Sequence, residues 1–361
     1  MINFKSKILL IHSFTAADIA TASFGATRLI KEQIIFLRRG KHHVLILEKG
    51  GMQNLSALLY KFVRLIRQRG VRVSSKLSCA QKWSYTLMYW IIREWLSVFD
   101  IFFSKIKVKI DEPFDIIHHY PSSLKYSISK KIKAISTIYV YEHNIEWKFY
   151  EDKIGAGFLG KLLIQYIKHI ELKNLNYADK IICVTEADKQ ILVSEGGVSE
   201  EKIDVWVALP TQEKGGAQRC HMTNENKNVL IGFIGTNFEP NIISVNRIIN
   251  IAKKIGNSTA FNIIGSVQVA FKDRNDLPDN VRFLGFVDNL KEELDKCNAF
   301  INPKKTSDTG IEIKMFDYLM LNRPILCTLE GARGYEKLNN VVILKDDKEI
   351  INYIKTKLCA N

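Results

Sequence analysis

The stretch Ala299–Thr328, AFINPKKTSDTGIEIKMFDYLMLNRPILCT, gathers the residues of this sequence best suited to chemistry. It reads as strand, polar loop, helix, turn and strand. The loop Lys304–Gly310 is basic at first and then rich in small hydroxylated residues. A Gly-containing loop leading into a helix holds phosphate through free backbone N–H groups and the positive end of the helix dipole. Ser307, Asp308 and Thr309 can each cap that helix. Lys314 and Asp317 stand three apart and share a helix face. A lysine one turn in can meet a diphosphate, and an acid one turn further can accept two hydroxyls of a ribose. A plainer reading makes Thr309 and Glu312 a capping box and Lys314–Asp317 a surface ion pair. The apolar neighbours Ile313, Met315, Phe316, Tyr318 and Leu319 argue against a solvated face.

Two further places could bind or react. The segment HSFTAADIATASFGATR follows the first apolar run, and its small residues with Gly25 would let backbone approach a phosphate or sugar closely. His143, in YEHNIEW, sits just past another apolar run, and His118–His119 could serve in its place. A lone histidine in such a setting is commonly structural.

These residues need elements to hold them. Short continuous apolar runs predict strands at Lys7–His12, Val44–Glu48, Asp115–His118, Ile135–Tyr141, Lys180–Thr185 and Ile203–Val207. A second series is predicted at Val229–Ile234, Phe261–Ile264, Val281–Leu284, Ala299–Asn302 and Pro324–Cys327. Continuous runs, not alternation, mark parallel strands covered on both faces. Helical patterns fall between them at Ala26–Arg39, Gly157–Tyr177, Ile242–Lys254, Leu290–Lys296 and Ile311–Leu321. The alternation predicts an α/β protein with parallel sheets. The polar, aperiodic stretch 209–228 reads as a linker between a domain at 1–208 and one at 229–361. The fold class expected is α/β, two doubly wound Rossmann-like domains facing across a cleft, with ligands at the C-terminal strand edges.

Four blocks then carry a resemblance. They are VLIGFIGTNFEPN, NVRFLGFVDNLKEELDKCNAFINP, TGIEIKMFDYLMLNRPILCT and, more weakly, YADKIICVTEADKQIL. In this order and spacing the second half resembles the retaining, nucleotide-sugar-dependent glycosyltransferases of family 4, which have the GT-B fold. The resemblance implies transfer of a hexose from a nucleotide diphosphate sugar to a hydroxyl of a glycan or lipid-linked acceptor, as in polysaccharide biosynthesis. The family's acid pair falls at Thr309 and Asp317. Asp317 keeps the acid that holds the ribose; Thr309 departs from the pattern, and Asp308 or Glu312 could substitute. Lys314 matches the lysine of the GIxIKxxE branch. Gly235, Thr236 and Asn237 match the loop near the diphosphate, with Asp308, Thr309, Gly310 and Ile311 at the head of the motif helix. Phe286 and Val287 match the turn facing the nucleobase. His143 resembles the active-site histidine. No DxD metal motif is found, so neither metal nor cofactor is expected beyond the donor itself. A nucleotide-sugar epimerase of the same fold remains the alternative enzyme.

Composition narrows the remaining classes. The chain has 361 residues, 47% hydrophobic and 25% charged, with a net charge of +14. That is ordinary globular composition with a basic excess that attracts anions. Residues 61–109 hold eleven Lys and Arg against Glu94 and Asp100, among many aromatics. Such a segment can lie in an anionic membrane interface, anchored by Trp83, Trp90 and Trp95, or form a core helix with a basic rim. A non-catalytic nucleic-acid or membrane binder is a further alternative, but no nucleic-acid-binding motif accompanies the charge. No run is long enough to span a bilayer. The location expected is cytoplasmic, with possible peripheral contact on the inner membrane face. The six cysteines form no CxxC pair and read as buried free thiols.

Overall fold

A computed structural model describes residues 7–12, 25–39, 41, 43–48, 88, 114–119, 130–154, 157–207, 209–210, 229–306 and 309–359. Asp308, the loop 13–24 ahead of Gly25, the linker residues 211–228 and all of the basic aromatic segment 61–109 except Met88 lie outside the described residues. The chain divides into two compact units. One comprises 1–209 with 309–311; the other comprises 210–308 with 312–361.

The first unit is built on six parallel strands: β1 (Lys7–His12), β2 (His43–Glu48), β3 (Asp115–His119), β4 (Thr137–Glu142), β5 (Lys180–Cys183) and β6 (Ile203–Val205). They lie in the order β2-β1-β3-β4-β5-β6. Leu10 of β1 stands opposite Ile46 on one side and Ile117 on the other. The helices are α1 (Gly25–Arg39), α2 (Lys130–Ile135), α3 (Glu146–Ile154), α4 (Phe158–Tyr177) and α5 (Glu186–Ser194). Ile116, Ile138, Val140 and Ile181 of the strands pack with Leu163, Ile167 and Leu192 of the helices into a continuous core.

The second unit has β7 (Val229–Ile234), β8 (Thr259–Ile264), β9 (Val281–Gly285), β10 (Ala299–Asn302), β11 (Ile325–Cys327) and β12 (Val341–Ile343). The order is β12-β11-β10-β7-β8-β9, every pair parallel. The helices are α6 (Glu239–Ile255), α7 (Leu290–Asp295), α8 (Lys314–Leu319), α9 (Leu329–Ala332) and α10 (Asp347–Tyr353). Phe233, Phe261, Ile263 and Ile301 meet Val245, Ile248 and Ala252 of α6 in its core.

The structure departs from the sequence reading at several points. The helix expected from Ile311 begins at Lys314, and its cap position, Ile313, makes no side-chain bond. The chain enters it through tight turns, Met315 N–H to the Glu312 carbonyl and Phe316 N–H to that of Ile313. No capping box forms, because the Glu312 carboxylate turns to two lysines instead. Strand β5 stops at Cys183 because Thr185 becomes the cap of α5, its hydroxyl accepting the Asp188 N–H at 3.0 Å. Strand β12 and the helices α3 and α5 carried too short a pattern to be read. Cys183, Cys297 and Cys327 are buried free thiols, but Cys359 is exposed at the end of the last helical turn.

Candidate functional site

In the second unit β7 lies between β8 and β10, so the chain leaves these strands toward opposite sides of the sheet. At such a switch point the loops after the two central strands diverge and leave a crevice at the C-terminal edge. Here the loops are Gly235–Phe238, after β7, and the chain from Pro303 to Ile313, after β10. The residues best suited to chemistry collect at this edge.

Lys314 opens α8 with its ammonium held from four sides. Nζ donates to Asn241 Oδ1 at 2.8 Å and to Asn302 Oδ1 at 3.5 Å. It lies 3.5 Å from Glu312 Oε2 and 4.4 Å from the centre of the Phe233 ring. Both amides are fixed by their other ends. Asn241 Nδ2 donates to the Thr236 carbonyl at 3.1 Å, and Asn302 Nδ2 to that of Gly331 at 2.8 Å. Each therefore presents oxygen, not nitrogen, to the ammonium. The other Glu312 oxygen takes Lys304 Nζ at 2.5 Å. Two buried lysines thus share the Glu312 carboxylate.

The electrostatics follow. Burial works against a charged Glu312, but the Lys314 and Lys304 charges and their hydrogen bonds outweigh it and hold the carboxyl at about 2. For Lys314, burial lowers the ammonium below its ordinary range, Lys304 adds repulsion, and Glu312 opposes both. Helix α8 is pinned in turn to the strand it covers. The Ile234 N–H donates to the Tyr318 hydroxyl at 2.8 Å, and the Tyr318 ring stacks on Phe300 with centroids 4.5 Å apart. Asp317, half-buried, lies one turn along from Lys314 on this short helix.

The loop after β7 is drawn in by its neighbours. Gly235 N–H donates to the Ile264 carbonyl at 2.9 Å, and Asn237 N–H to Ser266 Oγ at 3.0 Å. Thr236 and Asn237 stay exposed, and they lead into α6, whose cap position Phe238 gives no side-chain bond. Gly265 makes this approach possible. Its φ is +104°, and a Cβ there would lie 2.4 Å from the Gly235 carbonyl oxygen. Gly265→Ala is expected to lose about 2 kcal/mol or more, from backbone strain together with that collision. Gly197, at φ +64° with open space around it, supplies a strain-only control. Denaturant melts of Gly265→Ala and Gly197→Ala compare them, and equal losses would remove the collision from the account.

Phe286 and Val287 follow β9. Phe286 is 85% exposed, and Val287 is half-buried beside it.

In the first unit, β3 ends on His119 and β4 on Glu142, so His119 and His143 emerge side by side at the C-terminal edge. His119 Nδ1 and His143 Nε2 are 2.8 Å apart, and one ring must donate to the other. Burial pushes the His143 imidazole down to about 4, so it is neutral near pH 7. The two histidines read as alternatives in the sequence are therefore a single hydrogen-bonded pair. Gly25 opens α1. Thr309, Gly310 and Ile311 group with this unit and not with Lys314. Thr309 Oγ1 accepts the Ile145 N–H at 3.2 Å, and Gly310 N–H donates to the Asp188 carboxylate at 3.2 Å.

Sequence reasoning passed over Asn241 and Asn302 as ligands of this arrangement and noted Lys304 only as the start of a basic loop. Asn241 could have been suspected, six residues after Gly235 in the motif loop. Asn302, at the end of a buried strand, gave no signal. Among the described residues, no cluster of three or more His, Cys, Asp or Glu is placed to hold a metal, and no helix is long and apolar enough to cross a membrane.

Comparison with known proteins places this geometry in context. Residues 25–207 match the sequence model of Glycosyltransferase Family 4, and residues 228–358 match that of Glycosyl transferases group 1. No curated protein matches the chain in sequence. Sucrose-phosphate synthase from Thermosynechococcus elongatus is similar in structure, with 12% identity and a TM-score of 0.58 over 98% of this chain and 90% of that one. The α,α-trehalose 6-phosphate synthase of Burkholderia multivorans gives 8% identity and a TM-score of 0.57 over 99% and 89%. Anabaena HepE, solved with UDP and glucose, gives 12% and 0.52 over 98% and 90%. Against TarM the chain spans only 48% of the relative's length.

Proposed function

This chain belongs to glycosyltransferase family 4, and we propose that it moves a hexose from a nucleotide diphosphate sugar to a hydroxyl of a glycan or lipid-linked acceptor, with retention at the anomeric carbon. The observation that carries the reading is the buried Lys314 ammonium, fixed by Glu312 and Asn241 beside the Gly235–Asn237 loop at the β7/β10 edge. When the bond from the anomeric carbon to the diphosphate breaks, negative charge develops on the departing oxygen. A fixed ammonium in a dry site stabilises that charge more than it stabilises the intact donor. In this reading Lys314 supplies the ammonium, and the diphosphate lies beside the Gly235–Asn237 loop. Asp317 accepts from the ribose hydroxyls, and the nucleobase lies against the turn at Phe286 and Val287. No metal or cofactor is assigned a part.

The HepE complexes with UDP and with UDP-glucose support uridine as the base and glucose or a relative as the sugar. Neutral His143, paired with His119, is assigned to hydrogen bonding with a sugar hydroxyl and not to charge stabilisation. Where the family has its first acid this chain has Thr309, and Glu312 is already committed to two lysines. We therefore assign no carboxylate to that contact with the donor sugar. The expected location is cytoplasmic.

Calorimetric titration of UDP and UDP-glucose into the wild type and Asp317→Ala tests the reading. Loss of a charged hydrogen bond costs about 1.5–3 kcal/mol, so the variant is expected to bind roughly tenfold or more weakly. Equal affinities would remove Asp317 from the site. Conversion of the donor to a sugar isomer without any acceptor would favour an epimerase instead.

A further inference from the structure

We propose that the first turns of α4 dock the protein on an anionic lipid surface. The inference is independent of the transferase reading and concerns a different element from the segment 61–109. Helix α4 buries Leu163, Ile164, Ile167 and Ile170 in the core of the first unit, as an amphipathic helix should. Its outer face is not the polar one this predicts. Phe158 is 76% exposed and Leu162 53%, with Leu159 at 56% and Tyr166 at 42%. Phe158, Leu162 and Tyr166 recur every fourth residue, so they form one stripe along two turns. A contiguous apolar patch on a helix that already has its core contacts marks an interaction surface.

The charges beside the stripe select the partner. Lys161, Lys168 and Lys173 lie along the outer half of the helix with His169 and Gln165. The one acid among its twenty residues, Glu171, is buried, accepting the N–H groups of Glu146 and Trp147 at 3.0 and 3.2 Å. The first turn has no acid, although the helix dipole favours one there. On the adjoining α3, the exposed Glu151 is paired with Lys148 at 2.8 Å, and Lys148 also holds Glu195 at 2.7 Å. Lys168 is steadied over the Trp147 ring, 5.5 Å from its centre. Apolar residues flanked by lysines with no acid partner among the described residues suit an interface of acyl chains beneath anionic headgroups. A second copy of this chain fits less well, because two such faces would bring like charges together.

The experiment uses the full chain and sedimentation with vesicles of phosphatidylcholine, alone or mixed with phosphatidylglycerol. The wild type is expected to pellet with the mixed vesicles, less so as salt rises. The double variant Phe158→Glu/Leu162→Glu is expected to bind about tenfold or more weakly. Lys161→Gln/Lys173→Gln is expected to weaken binding and flatten its salt dependence. Both variants change exposed positions, so an unaltered thermal midpoint and unaltered UDP affinity are expected and separate docking from fold and catalysis. The proposal fails if the wild type does not prefer anionic vesicles. It fails if the Phe158→Glu/Leu162→Glu variant pellets as the wild type does, which would move docking elsewhere. A wild-type dimer that this variant dissociates, seen by analytical ultracentrifugation, would assign the face to self-association and overturn it as well.

Discussion

Lys314→Met is expected to reduce turnover by about 100- to 1000-fold while leaving the fold standing. The magnitude is that of removing one preorganised charge or donor aimed at a developing anion. The fold tolerates the change because burial already disfavours this ammonium, as its lowered pKa records. Methionine fills the space against Phe233 without needing solvation. Glu312 keeps Lys304 at 2.5 Å, so no acid is stranded. Asn241 and Asn302 each lose this donor, so a stability loss of about 1–3 kcal/mol is expected in thermal melts. Affinity for a nucleoside without phosphates should be unchanged, and that for the diphosphate reduced. Lys314→Arg is expected to rescue poorly, because the planar guanidinium does not fit a pocket shaped by Asn241, Asn302 and the Phe233 ring. Single-turnover kinetics with UDP-glucose decide the matter. Full turnover in the methionine variant would assign the leaving-group role elsewhere, with Lys304 the next candidate.

Glu312→Gln is expected to cost stability on the scale of about 3–5 kcal/mol, the usual result of removing one partner from a buried ion cluster. It leaves Lys304 and Lys314 facing each other without the carboxylate between them. The pH dependence gives an independent reading. The folded Glu312 titrates at about 2, below its ordinary 4.5. A depressed carboxyl contributes stability that is fully present above the unfolded value and is lost as pH falls through the folded one. The window is therefore roughly pH 4.5 down to 2, and the contribution of this group is about 3 kcal/mol from the size of the shift. Denaturant melts of wild type and variant should differ most near neutrality and converge toward pH 2. A constant difference across that range would sink the assignment. Adding Lys314→Met to Glu312→Gln should restore part of the loss, since the two residues share one network.

The strands were the most legible part of the fold. VLIGFI at 229–234 and AFIN at 299–302 are continuous apolar runs, and a strand covered on both faces has no polar side to display. Long helices such as α4 and α6 were legible because a 3.6-residue pattern repeats several times within them. Short elements were not. The three residues of β12 and the nine of α5 hold too few repeats to rise above chance. The start of α8 was misread because Thr309 and Glu312 have the spacing of a capping box, while tertiary partners claim both side chains.

The parallel α/β architecture and the family were legible from residue order alone, because both rest on local patterning and on motifs read in sequence. Residue order also placed Lys314 and Asp317 three apart on one helix. Folding was needed to show that Lys314 answers to Asn241, 73 residues before it, and to Asn302 at the end of the adjacent strand. It decided as well that Glu312 is a counter-ion and not a cap, and that His119 and His143 are one pair. The physical reason is common to all three. Which partner a buried polar group takes depends on what the sheet order brings within about 3 Å of it, since a buried charge or amide must be satisfied. That order joins strands far apart in the chain, and no local pattern encodes the distance between them.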